Sequence, residues 1–301
     1  MTPSLIRPSN EVSTALASGR AVVALETSVL AQGLPPPRNL EAARALDAAV
    51  RAEGATPAWV AIDTGVVRAG LSMAELDHLA MPGVAVAKVA RRDYPAVLAS
   101  GGLGATTVSA TLWAAAQLGI EVMCTGGIGG VHRGTGDVSA DLLELARLPG
   151  LVVCSGPKSI VDPAATLERL EELGVLVVGY RTSRLPFFLA RDAGLALEHR
   201  ADSALEAAAM ARARRGLGIS SAVLVCNPVP DDHALDAAAV ADAVTECARL
   251  ANREGVCGKA VTPFLLRCLA EVTRGASLEA NLALLRSNAT LAAQIAVACA
   301  A

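Results

Sequence analysis

An α/β fold with a mainly parallel central sheet is what this sequence predicts, and three observations predict it. Short, almost continuously apolar runs rich in β-branched residues recur along the first three quarters of the chain. Helical patterns separate them, and after Pro230 the runs stop and only helical patterns remain. Strands covered on both faces lack polar alternation, and strand–helix–strand alternation produces right-handed crossovers between parallel neighbours.

Taken in order, the strand-like runs are residues 21–25, 59–62, 84–87, 121–124, 151–154, 175–180 and 222–226. The helical patterns between them are 39–53, 74–80, 106–118, 139–147, 163–173 and 202–215. The helix-only part holds 234–254, 263–273 and 278–299. The whole chain, 1–301, reads as one α/β domain, with a sheet core over about 20–230 and a helical tail over about 231–301. That tail is apolar on more than one face, so it is expected to pack on the sheet or against another subunit. The turn at 34–37 reads as a rigid loop and 181–191 as a surface insertion.

With 53% hydrophobic but only 2% aromatic residues, the core must be built from Ala, Val, Leu and Ile. A net charge of -3 gives no electrostatic reason for a nucleic acid or an anionic membrane as partner, leaving small molecules. The first residues carry no basic stretch followed by an apolar one, and Arg286, Asn288 and Gln294 interrupt the longest apolar helix. No leader or membrane span is expected. Seven scattered cysteines without a CxxC pair suit buried free thiols in a reducing cytoplasm better than disulfides or zinc. Of 26 basic residues only Lys88, Lys158 and Lys259 are lysine, so lysine is not this chain's surface filler.

Parallel sheets place ligands at the carboxyl ends of their strands. The strand-like runs here end on Glu26-Thr27-Ser28, Asp63-Thr64-Gly65, Lys88, Thr125-Gly126-Gly127, Ser155-Gly156-Pro157-Lys158 and Asn227-Pro228. Polar and ionisable groups at nearly every strand end, all expected on one edge, point to a site. Lys158 precedes a helix, where a lysine serves equally as an anion-binding cation or as an amine nucleophile activated by burial and nearby cations. Arginine forms no imine, so a lysine in an arginine-using chain favours the nucleophile. Glu26, at the end of an apolar strand, needs a partner or a proton; it either caps and pairs or acts as a general acid. Lys88, with Arg91 and Arg92 behind it, forms either a solvated turn or a phosphate clamp.

Residues 101–108 are glycine-rich and open a helix; by themselves they are better read as tight-turn packing than as an anion site, and they are neither a Rossmann fingerprint nor a P-loop. Residues 126–134 form a second glycine loop that lets backbone approach a ligand closely, with His132 and Arg133 as donors. Asp137, Ser139 and Asp141 come next. Asp137 or Ser139 fits N-capping and Asp141 suits the helix macrodipole, and together they fit an oxygen-only site for Mg²⁺ or Mn²⁺ holding a phosphate.

These segments resemble the pseudouridine-5'-phosphate glycosidase (indigoidine synthase A-like) family. The likeness runs through 25–28, 88–93, 101–108, 125–134, 137–141, 156–160, 227–230, 258–264 and 277–281, in order, over essentially the whole chain. It implies cleavage of the C–C bond between uracil and ribose 5-phosphate in pseudouridine 5'-phosphate, a divalent metal, usually Mn²⁺, and a homotrimer. Residue by residue it implies Lys158 as covalent nucleophile, Glu26 as proton donor and Asp137 as metal ligand. Lys88, Val108, Ser139, Ala140, Asp141 and Asn281 become substrate contacts. Three departures stand out: the 134–137 stretch is short and lacks an aromatic before Asp137, Ala260 replaces an acid, and 181–200 is atypical. The competing readings are a Schiff-base lyase or aldolase on another sugar phosphate and a non-catalytic sugar-phosphate-binding module.

Overall fold

The computed structural model describes residues 5–133 and 136–301. Residues 134 and 135 of the short stretch before Asp137 lie outside the described residues, as does the side chain of Lys259. The chain opens with β1 (Ile6–Pro8) and α1 (Asn10–Ala17), whose Ser9 cap accepts from the Val12 amide. The fully buried β2 (Val22–Glu26) leads through a π-helical turn at Val29–Gly33 into α2 (Arg38–Ala52). Next, β3 (Thr56–Asp63) folds back into β4 (Val66–Ala69) through Thr64 and Gly65. Both turn residues have positive φ, 48° and 74°, the pair of left-handed conformations that a type I′ hairpin turn requires.

Then come α3 (Met73–Leu79), β5 (Val86–Val89), α4 (Tyr94–Ser100), β6 (Leu103–Thr106) and α5 (Val108–Leu118). They are followed by β7 (Val122–Cys124), β8 (Val131–His132), α6 (Ala140–Arg147), β9 (Leu151–Cys154), β10 (Val161–Asp162) and α7 (Pro163–Glu172). Asp162 caps α7 and Pro163 takes its first turn, where a missing N–H costs nothing. Last in the sheet region are β11 (Leu176–Tyr180), β12 (His199–Ala201), α8 (Ala204–Gly216) and β13 (Val223–Cys226). Helices α9 (Ala237–Arg253), α10 (Val261–Val272) and α11 (Ala276–Ala300) complete the chain.

Parallel strands run in the order β3-β2-β7-β9-β13-β11-β12, with Leu25 opposite both Trp59 and Cys124, and Cys226 opposite Cys154. Strands β4 and β6 join β3 antiparallel; β1 extends β4 and β5 extends β6. The expected strands and helices are all present. The sheet is mainly parallel, flanked by helices, with a helical C-terminal part. What periodicity missed are short elements, and β6 is the informative one. The segment 101–108 does not simply open a helix: its centre is a strand. Gly104 disguises it, yet a Cβ there would lie 2.7 Å from Val89 Cγ2, so the β5–β6 pairing needs glycine.

Two further expectations are corrected. The 181–191 segment is not a surface insertion, because Leu185, Phe187, Phe188, Leu189 and Ala190 are buried and the Phe188 N–H donates to Ser155 O at 2.7 Å. The seven cysteines are not all free, because Cys247 and Cys268 form a disulfide between the packed helices α9 and α10, with Cα atoms 5.7 Å apart. Their separation of 21 residues on two helices leaves no local signature in sequence. Cys124, Cys154 and Cys226 are buried free thiols as expected.

Helix α11 is 25 residues long and, by length and composition alone, apolar enough to cross a membrane. Its apolarity has another cause: it packs on β7 and β9 and against both α2 and α8, burying Leu284, Leu285, Leu291 and Ile295. The tail packs on the sheet. Asn288, fully buried in it, donates to Thr125 O and Ser155 Oγ and accepts from Asn227 Nδ2, so this polar interruption is satisfied inside the protein.

Candidate active site

Strand β2 delivers Glu26 to its carboxyl end with only 4% of its surface exposed. Ser28 Oγ donates to Glu26 Oε2 at 2.5 Å, and Thr125 Oγ1, from the end of the adjacent β7, donates to Oε1. The pairing that a buried carboxyl needs is therefore supplied by two hydroxyls rather than by an arginine. Below it lies the Cys124 thiol, which burial first and Glu26 second push well above its ordinary pKa, so it stays neutral.

Lys158 leaves β9 on a short connection whose backbone is clamped to the glycine loop. The Lys158 N–H donates to Ile128 O at 2.9 Å, and the Ile128 N–H donates to Gly156 O at 3.1 Å. The glycines of this loop serve contacts within the protein, not only approach to a ligand. A Cβ on Gly129 would stand 2.3 Å from Ser139 Oγ, and one on Gly130 would stand 2.3 Å from Thr166 Oγ1. The loop is thereby held against α6 and α7.

Three contiguous cavities share walls around these groups. The middle one is bordered by Glu26, Ser28, Gln32, Lys88, Lys158, Phe188, Thr262 and Asn281. On one side it passes into a polar cavity bordered by Lys88, Arg92, Thr107, Val108, Ser139, Ala140, Asp141, Asp137 and Lys158. On the other it widens into an apolar cavity of about 440 Å³ walled by Leu34, Phe188, Leu189, Leu266, Leu269 and Leu278. All nine residues to which the family resemblance assigns a role border this continuous cleft, and Lys88 and Lys158 border both its middle and polar parts. Asp63 opens the β3–β4 hairpin and does not border it.

The route by which Lys88 arrives differs from expectation. Strands β5 and β6 run against β3, so Lys88 and the start of α5 approach from the opposite direction to Glu26. Thr27 and Thr106 make this meeting stable: both hydroxyls donate to Val60 O, and the Thr106 N–H donates to Thr27 Oγ1 at 3.0 Å. Arg91 is occupied by the buried Glu144 at 2.7 Å, which leaves Arg92 facing the polar cavity.

Asp141 is buried, its Oδ1 accepting from the Ser109 N–H at 3.0 Å and its Oδ2 from the Gly129 N–H at 2.9 Å. It ties the starts of α5 and α6 to the glycine loop. Ser139 caps α6 through the Asp141 N–H at 3.2 Å. His132 has its pKa lowered, mainly by burial; Asp137 opposes the shift and Lys88 adds to it. Among the described residues no three His, Cys, Asp or Glu side chains gather to hold a metal. What the polar cavity offers is the Asp137 carboxylate with hydroxyls and the cationic side chains of Lys88, Arg92 and Lys158 nearby. That set fits a hard divalent cation that keeps most of its water and shares a phosphate, not an all-protein cage.

Sequence reading missed Gln32, Phe188 and Thr262 as parts of the site, and it did not foresee the bond from Thr125 to Glu26. Thr125 was visible as a strand-end residue. Phe188 carried no signal, although its positive φ of 55° marks a backbone held under strain at the cleft.

Comparison with known proteins agrees with this geometry. A family profile described as "Indigoidine synthase A like protein" matches residues 11–298. A pseudouridine-5'-phosphate glycosidase of Sorangium cellulosum is 50% identical, covering 96% of this chain and 92% of its own length. One from Chloroflexus aurantiacus is also 50% identical, covering 97% and 98%. The prealnumycin C-glycosynthase AlnA in complex with ribulose 5-phosphate superposes with a TM-score of 0.90 at 38% identity, covering 99% of this chain and 97% of that one. An indigoidine synthase A-like protein from Thermotoga maritima gives 0.89 at 37%, covering 97% and 95%.

Proposed function

We infer, from the premise that this chain belongs to the indigoidine synthase A-like family, that it is a pseudouridine-5'-phosphate glycosidase. It cleaves the C–C bond of pseudouridine 5'-phosphate reversibly, giving uracil and ribose 5-phosphate. The observation that carries this reading is a single cleft that holds Glu26 and Lys158 together, with a cation-lined cavity on one side and an apolar one on the other.

The chemistry explains the residue types. An O- or N-glycosidase protonates a lone pair on its leaving atom; the leaving carbon of a C-glycoside has none. Glu26 therefore protonates the ribose ring oxygen and the C1'–O4' bond opens. The Lys158 amine bonds to C1'. Once uracil C5 takes up a proton, the nitrogen lone pair forms the C1'=N bond as the C1'–C5 bond breaks. Water then hydrolyses the imine, releasing ribose 5-phosphate and restoring the lysine. Only an amine can supply that lone pair and still be recovered by hydrolysis.

Lys88, Arg92, Ser139 and the Val108 N–H at the start of α5 bind the phosphate, aided by the helix dipole. Ala140 shapes the same wall, Asp141 orients it and Asn281 reaches the sugar. Asp137 would hold a Mn²⁺ ion, which when bound neutralises phosphate charge. We also assign the chain to a homotrimer. The apolarity of α11 does not support that assembly, since burial in the core accounts for it; the family resemblance does. A cytoplasmic location fits a phosphorylated substrate, which is retained inside cells. Incubating the protein with pseudouridine 5'-phosphate and Mn²⁺ and measuring free uracil tests the activity, and absence of release refutes it.

A further inference from the structure

Gln32 lies in the π-helical turn just after β2 and borders both the middle cavity, with Glu26 and Lys158, and the apolar one beyond it. Its Nε2 donates to Val86 O at 3.3 Å, which fixes the plane of the amide. Its Oε1 is buried and has no hydrogen-bond partner. Among the described residues Trp59 Nε1, Glu121 Oε1 and Arg214 Nε share that condition, but none of them borders this cleft. A buried acceptor without a donor carries an uncompensated desolvation cost that a ligand N–H removes.

Uracil joined to a sugar through C5 keeps both ring N–H groups, so recognising it calls for an acceptor in the base pocket. Lys88 and Lys158 offer none, and each Glu26 oxygen already accepts from a hydroxyl. Gln32 supplies an acceptor of fixed direction beside the flat apolar surface of Phe188, Pro263 and Leu266. We propose that Gln32 Oε1 accepts a ring N–H of uracil and is a specificity-determining residue for the base. This rests on the glycosidase reading and deepens it, since a site built around an unpaired acceptor rejects bases that cannot fill it.

The test separates base recognition from sugar chemistry. In the synthetic direction, at saturating ribose 5-phosphate, Gln32→Leu should raise the KM for uracil by about tenfold or more. The same variant should form the borohydride-trapped ribose 5-phosphate adduct as the wild type does, because that step involves no base. An unchanged KM for uracil overturns the inference and leaves the glycosidase assignment intact. The wild type provides a check that needs no variant: 1-methyluracil and 3-methyluracil each lack one ring N–H, and at least one should be used about tenfold less well than uracil. Equal use of all three bases overturns the proposal, and a wild type that releases no uracil from pseudouridine 5'-phosphate overturns both readings.

Discussion

Replacing Glu26 by glutamine removes a proton donor while nearly preserving shape, and the surroundings of Glu26 let the two consequences be weighed separately. In the wild type Ser28 and Thr125 each donate a hydroxyl proton to the buried carboxyl. An amide keeps one acceptor oxygen and turns an NH₂ toward the other hydroxyl, which rotates to accept from it. Trading two carboxyl hydrogen bonds for two amide ones loses roughly 1–3 kcal/mol in total, and relief from burying a carboxyl group offsets a similar amount. Net stability should therefore change by no more than about 1 kcal/mol, a melting shift of roughly 2–4 °C. Loss of a general acid lowers the rate by about 10²–10⁴-fold, far outside that structural cost. Uracil release and thermal melting measure the two quantities. Borohydride trapping adds a third: with pseudouridine 5'-phosphate the adduct should fall with the rate. With free ribose 5-phosphate, whose aldehyde opens unaided in water, it should change far less. A variant within about fivefold of wild-type turnover, or one that loses both adducts equally, refutes proton donation by Glu26.

Lys158→Arg keeps the charge but forms no imine, so it should bind substrate without turnover, and in the wild type the trapped label should map to the peptide holding Lys158. Residual activity, or a label on Lys88 or Lys259, excludes this nucleophile. Asp137→Ala should lose most metal-stimulated activity, and EDTA should inactivate the wild type reversibly; a fully active chelated enzyme contradicts the assignment of Asp137. Cys247→Ser, or treatment with a thiol reductant, should cost about 3 kcal/mol by reopening the 21-residue separation between Cys247 and Cys268. Identical melting curves with and without reductant rule that contribution out.

The parallel core was legible because strands such as β9 and β13 are apolar at every position, a pattern tied to burial on both faces. Short elements were not. Strand β6 is held by Gly104 against Val89 and Ile62, a constraint imposed by tertiary packing on a residue with no strand preference. Lys158 and Glu26 could be picked out because an ionisable residue at the end of an apolar strand is costly and must be used. Gln32, in an irregular turn, and Phe188, folded back from 38 residues before Cys226, could not, because nothing local marks them. The Cys247–Cys268 bond was misread for the same reason: it depends on how two helices dock, not on spacing.

Asn288 gives the cleft a dependence on the order in which the chain is made. Its amide holds the Thr125 and Ser155 ends of β7 and β9 and meets Asn227 at the end of β13, all synthesised well before α11. Until α11 leaves the ribosome, the Thr125 carbonyl and the Ser155 hydroxyl lack this partner, and Thr125 is one of the two residues that brace Glu26. A nascent or truncated chain lacking α11 can therefore pair its strands yet remain catalytically silent. Docking of α11, not closure of the sheet, is the step that completes the support behind Glu26.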